Sequence, residues 1–246
     1  AVLGELETKV PARPIPRPNL GDAIVLGGTE SRLPGQTGLP RLTIVMPKEL
    51  VIMPPRGVLL TSSLIDHITI ELGRSRRLAV IAPHTAWQLA ATDFVSAANE
   101  HSIPFVLELR LLPGSGADTQ YHSAKLINTN TREILWSDDF SIETDSLQQR
   151  LRYVAKLASA QLVDRIENTL LREHVDTGDG SAYIWELMGR RHMHSLDLRR
   201  IRRARNYFRS AIDADRYFAP AWYGAARTLT REWVLCARED PKLLGD

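Results

Sequence analysis

The sequence is short of the features that most often announce a chemistry or an address. Its 246 residues include one cysteine, Cys236, so no intrachain disulfide can form and nothing points to an oxidising compartment. No run of about 18 apolar residues occurs, which leaves no candidate for a transmembrane helix and no reason to expect a membrane partner. The net charge is only +2, too small to make the chain as a whole a nucleic-acid binder. The opening Ala1-Val2-Leu3-Gly4-Glu5 has neither the basic flank nor the apolar stretch of a secretion signal. It also lacks an initiator methionine, and both ends read as cut from a longer protein. Cytoplasmic localisation is the expectation.

Catalytic and metal-binding patterns are missing in the same way. Gly114-Ser115-Gly116 has no following Lys-Ser/Thr and falls between two strands, whereas a phosphate-binding loop needs a helix N-terminus behind it. There is no Gly-x-Ser-x-Gly elbow. His192 and His194 are two apart on a helical stretch, about 200° apart in projection, and cannot share one ion. His67, His84, His101 and His122 have no ligand spacing, and Cys236 has no Cys or His neighbour. Asp138 and Asp139 are adjacent on a strand and point to opposite faces, as solvated edge residues do. The expectation is a non-catalytic chain with no cofactor and no metal.

What is present has order. Residues 1–40 are rich in Pro and Gly, from Pro11, Pro14, Pro16 and Pro18 to Gly35, Gly38 and Pro40, and read as an extended linker in which only Ala23 to Leu26 could pair as a short edge strand. Leu42 to Met46 reads as a buried strand stopped by Pro47. Leu59 to Leu72 has the apolar spacing of a helix, with Gly73 where a C-cap would stand. Leu78 to Ala82 reads as a strand, Ala90 to His101 as a helix, and Phe105 to Leu112 and Gln120 to Ile127 as strands joined by the loop 113–118. A polar turn, Asn128 to Arg132, leads into a strand over Glu133 to Phe140. Trp136 closes that strand opposite the apolar stripe Leu147, Leu151, Val154, Ala158, Leu162, Ile166 and Leu170, so it is expected to be a core residue packed on a long helix. A strand–helix–strand start followed by hairpins predicts a mixed α/β sheet with helices packed on it, over residues 41–175.

The segment 181–246 carries another pattern. Tyr183, Trp185, Leu187 and Gly189 precede Ala204-x3-Phe208-x2-Ala211, then Asp215 and Ala219-Pro220-Ala221-Trp222-Tyr223. Small residues that let two helices approach, with aromatics filling the gap, are the signature of a tetratricopeptide repeat. Trp185, Gly189, Ala204, Phe208, Ala211 and Trp222 are the predicted repeat-packing residues. Ala221, Trp222, Ala225 and Leu229 are expected to form an apolar face that favours self-association. Eight arginines lie between Arg190 and Arg209, countered only by Asp197. Arg199, Arg202, Arg205 and Arg209 are expected to make an outward ridge. That ridge reads as a solvated helix face or as a contact for an acidic protein partner or for phosphates; no aromatic residues are interleaved as base readers would require.

Read together, these segments resemble a bacterial module, the TolB amino-terminal-like domain followed by tetratricopeptide repeats. The stretch closest to the family pattern is Ala124 to Trp136, with Leu126-Ile127-Asn128, then Thr131 and Leu135-Trp136. Leu42 to Pro47, Leu60 to Ile68 and Val80 to Thr85 follow the family's first strand, helix and second strand more loosely. Two positions depart from it: Arg132 stands at the usual turn glycine, and Arg216 stands where a proline follows the aspartate. The resemblance implies a non-catalytic sensory or protein-interaction module of a cytoplasmic bacterial transcriptional regulator, with a protein partner on the helical repeat and DNA contacted only by a domain outside this chain. A nucleotide-cyclase regulatory module and an envelope-associated module are the alternatives it leaves open.

Overall fold

A computed structural model describes residues 38–45, 55–82, 94–112, 119–143, 147–177 and 180–239. All of these fall in the compact unit Leu33–Asp246. The segment Ala1–Arg32, with the short edge strand expected at Ala23 to Leu26, lies outside the described residues, as do most of the expected linker and the loop 113–118.

The sheet has five strands: β1 (Arg41–Val45), β2 (Ala79–Ile81), β3 (Phe105–Leu111), β4 (Thr119–Asn128) and β5 (Ile134–Glu143). Their order across the sheet is β2-β1-β3-β4-β5. β1 runs parallel to β2 and β3, with Leu42 opposite Val80 and Phe105, while β3-β4-β5 is an antiparallel meander. The mixed sheet expected from the sequence is therefore present. Helix α1 (Pro55–Ser75) connects β1 to β2, α2 (Phe94–Glu100) precedes β3, and α3 (Leu147–Thr177) follows β5.

Strand alternation sorts the side chains into two layers. On one face Leu42, Ile44, Phe105, Leu107, Leu109, Ala124, Leu126 and Ile142 meet Leu64, Ile68 and Leu72 of α1 and Leu151, Ala155, Leu162 and Ile166 of α3. On the other, Val45 and Val106 meet Ala98 and Phe94 of α2. His122 also lies on the first face, wholly buried. Its Nε2 is 3.0 Å from Thr61 Oγ1, and its ring stacks on Phe140 at 5.9 Å.

Local details correct the sequence reading at Gly73 and Trp136 and show how the turn at Arg132 is made. Gly73 is not the cap of α1: the helix runs on to Ser75, and Arg76 takes the left-handed turn at φ 52°. At the β4–β5 turn, Arg132 adopts φ 60°, so an arginine occupies the left-handed conformation that glycine favours. The turn is closed by Arg132 N–H to Asn128 O at 2.8 Å and by Asn128 Oδ1, which accepts from Asn130 N at 3.0 Å. Trp136 is only half-buried, packed at the margin of the main core. Trp136 pairs with the inward-facing Leu126 and alternates in step with Phe140 and Ile142, but β5 is the outermost described strand, where the helices give only partial cover. The register step to Ile127↔Ile134 leaves Leu135 as a bulge just before it.

Beyond α3 come α4 (Ala182–His192), α5 (Leu198–Ala214) and α6 (Ala219–Glu239). Ser181 caps α4 by accepting from Ile184 N, and Asp197 caps α5 by accepting from Arg199 N. Among the described residues, no helix is long and apolar enough to cross a membrane.

Candidate interaction surface

The three terminal helices are built around one ring. Phe208 on α5 is buried between Gly189 on α4 and Gly224 on α6. A Cβ on Gly189 would lie 2.8 Å from the Phe208 ring, and one on Gly224 would run into the same ring. Ala204 and Ala211 are wholly buried beside it. Small residues thus let the helix backbones approach, and the phenyl ring fills the gap between them. Gly189, Ala204, Phe208 and Ala211 stand where the sequence placed them. Gly224 was missed, although a glycine in a helix that faces an aromatic residue is a legible sign.

The other two packing residues differ. Trp185 is half-buried against Leu187 and its neighbours and covers Gly180. Trp222 does not pack inward: it is 55% exposed, and its indole N–H donates to Arg216 O at 2.9 Å. Helical spacing explains the correction. Ala221, Gly224 and Thr228 form the buried side of α6, so Trp222, one residue on, is turned about 100° away from Ala221. The expected apolar face is thereby redrawn, with Ala221 inside and Trp222, Leu229 (58% exposed) and Trp233 (68%) outside.

The arginine ridge is divided. Arg202 Nε donates to Glu232 Oε1 at 2.8 Å, and Arg205 donates to Thr228 Oγ1 at 3.0 Å and also to Glu232. Arg205 is therefore part-buried against α6 and is no part of an outward ridge. These two guanidiniums, through hydrogen bonds from Arg202 and then Arg205, hold the Glu232 carboxyl below its usual pKa. Asp197 was not the only counter-charge, because sequence spacing cannot show a carboxylate that comes from the neighbouring helix. Arg199 and Arg209 are exposed.

Arg190 is the hub of a buried cluster that joins the hairpin to the sheet layer. It donates to Glu186 Oε1 and Oε2 at 3.2 and 3.1 Å and to Glu167 of α3 at 2.9 Å. Arg77, after α1, lies 3.7 Å from the same Glu167. Burial pulls the Arg190 pKa down, but Glu186 and Glu167 more than offset this and hold it above the ordinary value. Tyr183 donates to Glu167 at 3.4 Å, and burial, with Glu167 beside it, pushes its phenol up. Arg191 donates to Asn168.

Sequence reading also missed a run of rings. His192 stacks on Tyr207 at 5.3 Å and 17°, Tyr207 stacks on Trp185 at 6.0 Å and 18°, and His174 meets Trp185 edge-on at 5.1 Å. Burial, followed by the charges of Arg200 and Arg203, lowers the His192 pKa. His194 lies exposed nearby, and among the described residues no group of three His, Cys, Asp or Glu could hold a metal ion.

No family model matches the chain, and no curated protein matches it. Among solved structures it is similar to TolB from Acinetobacter baumannii, at 15% identity and TM-score 0.37 over 52% of this chain and 28% of that one. It is also similar to PelC from Paraburkholderia phytofirmans, at 16% identity and TM-score 0.32 over 49% and 86% of the two chains. A third likeness is to the lipoprotein GNA1162 from Neisseria meningitidis, at 13% identity and TM-score 0.30 over 52% and 99%. At scores this low the likenesses assign neither family nor function to the chain.

Proposed function

We propose that the chain is a non-catalytic protein-interaction module of a cytoplasmic bacterial transcriptional regulator, with a TolB-like α/β layer and a tetratricopeptide-type helical hairpin. DNA is contacted by another domain of that regulator, and this chain's partner is a protein held on α4 to α6. The observation that supports the reading is the Gly189–Phe208–Gly224 stack. It is an arrangement of small and aromatic residues that stacks helices into a scaffold and leaves their outer faces free for contacts. The Ala124 to Trp136 segment supports the TolB-like assignment through its sequence pattern alone.

The test is affinity capture from the native host with the intact chain and with surface variants of α5 and α6, the recovered proteins being identified by mass spectrometry. A discrete partner that is lost with surface substitutions leaving the fold intact is the expected result. Turnover in a broad substrate screen, abolished by one point substitution, would overturn the reading.

A further inference from the structure

The arginines that α6 does not engage gather on the other side of α5. Arg199, Arg200 and Arg203 are exposed and, at about 100° per residue, share an arc of α5 with Tyr207. Among the described residues, none of these three side chains takes part in an ion pair. Their arc borders the α4–α5 seam, where His192 and Trp185, seven residues and about 10.5 Å apart along α4, sandwich the Tyr207 ring between them. All three rings are part-exposed.

The chemistry of this corner is selective. Guanidinium forks take up carboxylates through paired, charge-assisted hydrogen bonds. Tyr207 is stacked on both sides, so what it offers a ligand is its rim, the electropositive part of an aromatic ring. A nucleobase would need an open ring face to stack on, and the stack already occupies the faces of Tyr207. Carboxylates suit both the forks and the rims.

We infer that Arg199, Arg200 and Arg203, with the exposed rims of His192 and Tyr207, form the docking site for an acidic peptide segment of the partner protein, one that presents carboxylates on neighbouring residues. This rests on the reading of the hairpin as a protein-interaction module and replaces the four-arginine ridge as its contact surface. The occupant also couples to a proton. Burial and, after it, the charges of Arg200 and Arg203 depress the His192 pKa, and bound carboxylates offset the arginines' part of that shift. Binding therefore raises the proton affinity of His192 and, by reciprocity, tightens as the pH falls through its titration.

The experiment uses the full chain and a synthetic Glu/Asp-rich peptide at physiological salt. Arg200→Gln/Arg203→Gln is compared with Arg209→Gln/Arg227→Gln, which removes the same charge from the α6 side. The first pair is expected to weaken binding at least about tenfold and the second less than about twofold, since only forked contacts are lost with the first. The His192 ring signals, assigned with His192→Gln, are expected to titrate at higher pH when the wild-type chain is saturated with peptide. Equal losses in the two pairs, no binding, an unmoved His192 midpoint, or duplex DNA or single-stranded RNA bound as tightly as the peptide would each overturn the inference. A host partner retained by Arg200→Gln/Arg203→Gln but lost on α6 substitutions would sink this site while leaving the module reading standing.

Discussion

The sheet layer and the helical hairpin solve the same problem in opposite ways. In the sheet layer, apolar side chains from four strands and two helices meet each other, and Leu42, Ile44, Leu64, Ile68, Leu107 and Leu126 lose all contact with water. In the hairpin, one phenyl ring wedged between two glycines sets the helix spacing, and charged clusters at Arg190 and Glu232 hold the seams. The first region centres on one wholly buried apolar core, with only scattered residues such as Leu59 and Tyr153 left outside. The second buries one side and leaves tryptophans and arginines outside, which is what a contact surface requires. The hairpin is accordingly the region whose stability hangs on fewer side chains.

Removing Phe208 should expose this contrast most sharply. Phe208→Ala is expected to cost about 3–5 kcal/mol, because glycine-lined walls have no side chains with which to fill the void. Native-state hydrogen exchange should show the α4 to α6 amides opening while β1, β3 and β4 stay protected; loss of protection in both regions together would mean that they unfold as one unit. The sheet layer has its own weak point in His122, whose imidazole burial pushes down to about 4. Because this folded value lies below the free value near 6.5, the neutral ring's contribution is fully present above pH 6.5 and is lost as the pH falls toward 4, by up to about 3 kcal/mol. His122→Gln should flatten the stability–pH curve across that window, and an unchanged slope would show that the ring is free to charge. Adding one methyl group at Gly224 tests the wedge from the other side. Gly224→Ala should destabilise the hairpin by about 1–3 kcal/mol despite the better helix propensity of alanine, with partial rescue by Phe208→Leu. The smallest stability effect belongs to the outer side of α6. Trp222→Ser with Trp233→Ser should change stability by no more than about 0.5 kcal/mol. If a second copy covers this face, the pair should also remove concentration-dependent association in sedimentation; identical sedimentation of wild type and variant at high concentration would show that α6 does not pair with itself.

The two regions were also unequally legible. Period-two runs such as Leu42-Thr43-Ile44 and the stripe from Leu151 to Leu170 gave the strands and the long helix away, because one buried face imposes its repeat on the sequence. Trp136 faces the core side, paired with Leu126, yet is only half-buried because β5 is the outermost described strand, and strand order across a sheet leaves no local mark in the sequence. In the hairpin, small and large residues announced the close approach of helices correctly at Gly189, Ala204, Phe208 and Ala211. Trp222 was misjudged because a one-residue error on a helix rotates a side chain from the seam into solvent. The ridge failed for a different reason: Arg202 and Arg205 are neutralised by Glu232, some 27 to 30 positions later, and charge pairing across helices leaves no local trace. The stack of Tyr207 between His192 and Trp185 was invisible for the same reason.

The two edges of the sheet carry a consequence for how the chain behaves in a crowded solution. Among the described residues, the sheet ends on one side in β2, three residues long, and on the other in β5, ten residues long. A long outer strand presents free backbone donors and acceptors, which is an invitation for a strand from another molecule to add on. Midway along β5, however, stand Asp138 and Asp139, both exposed, opposite Ala124 and Ser123. A second β5 laid alongside would bring like charges together where the ribbon is longest, while β2 is too short to template anything. Two adjacent carboxylates expected from the sequence as solvated edge residues thus stand where they would discourage edge-to-edge growth.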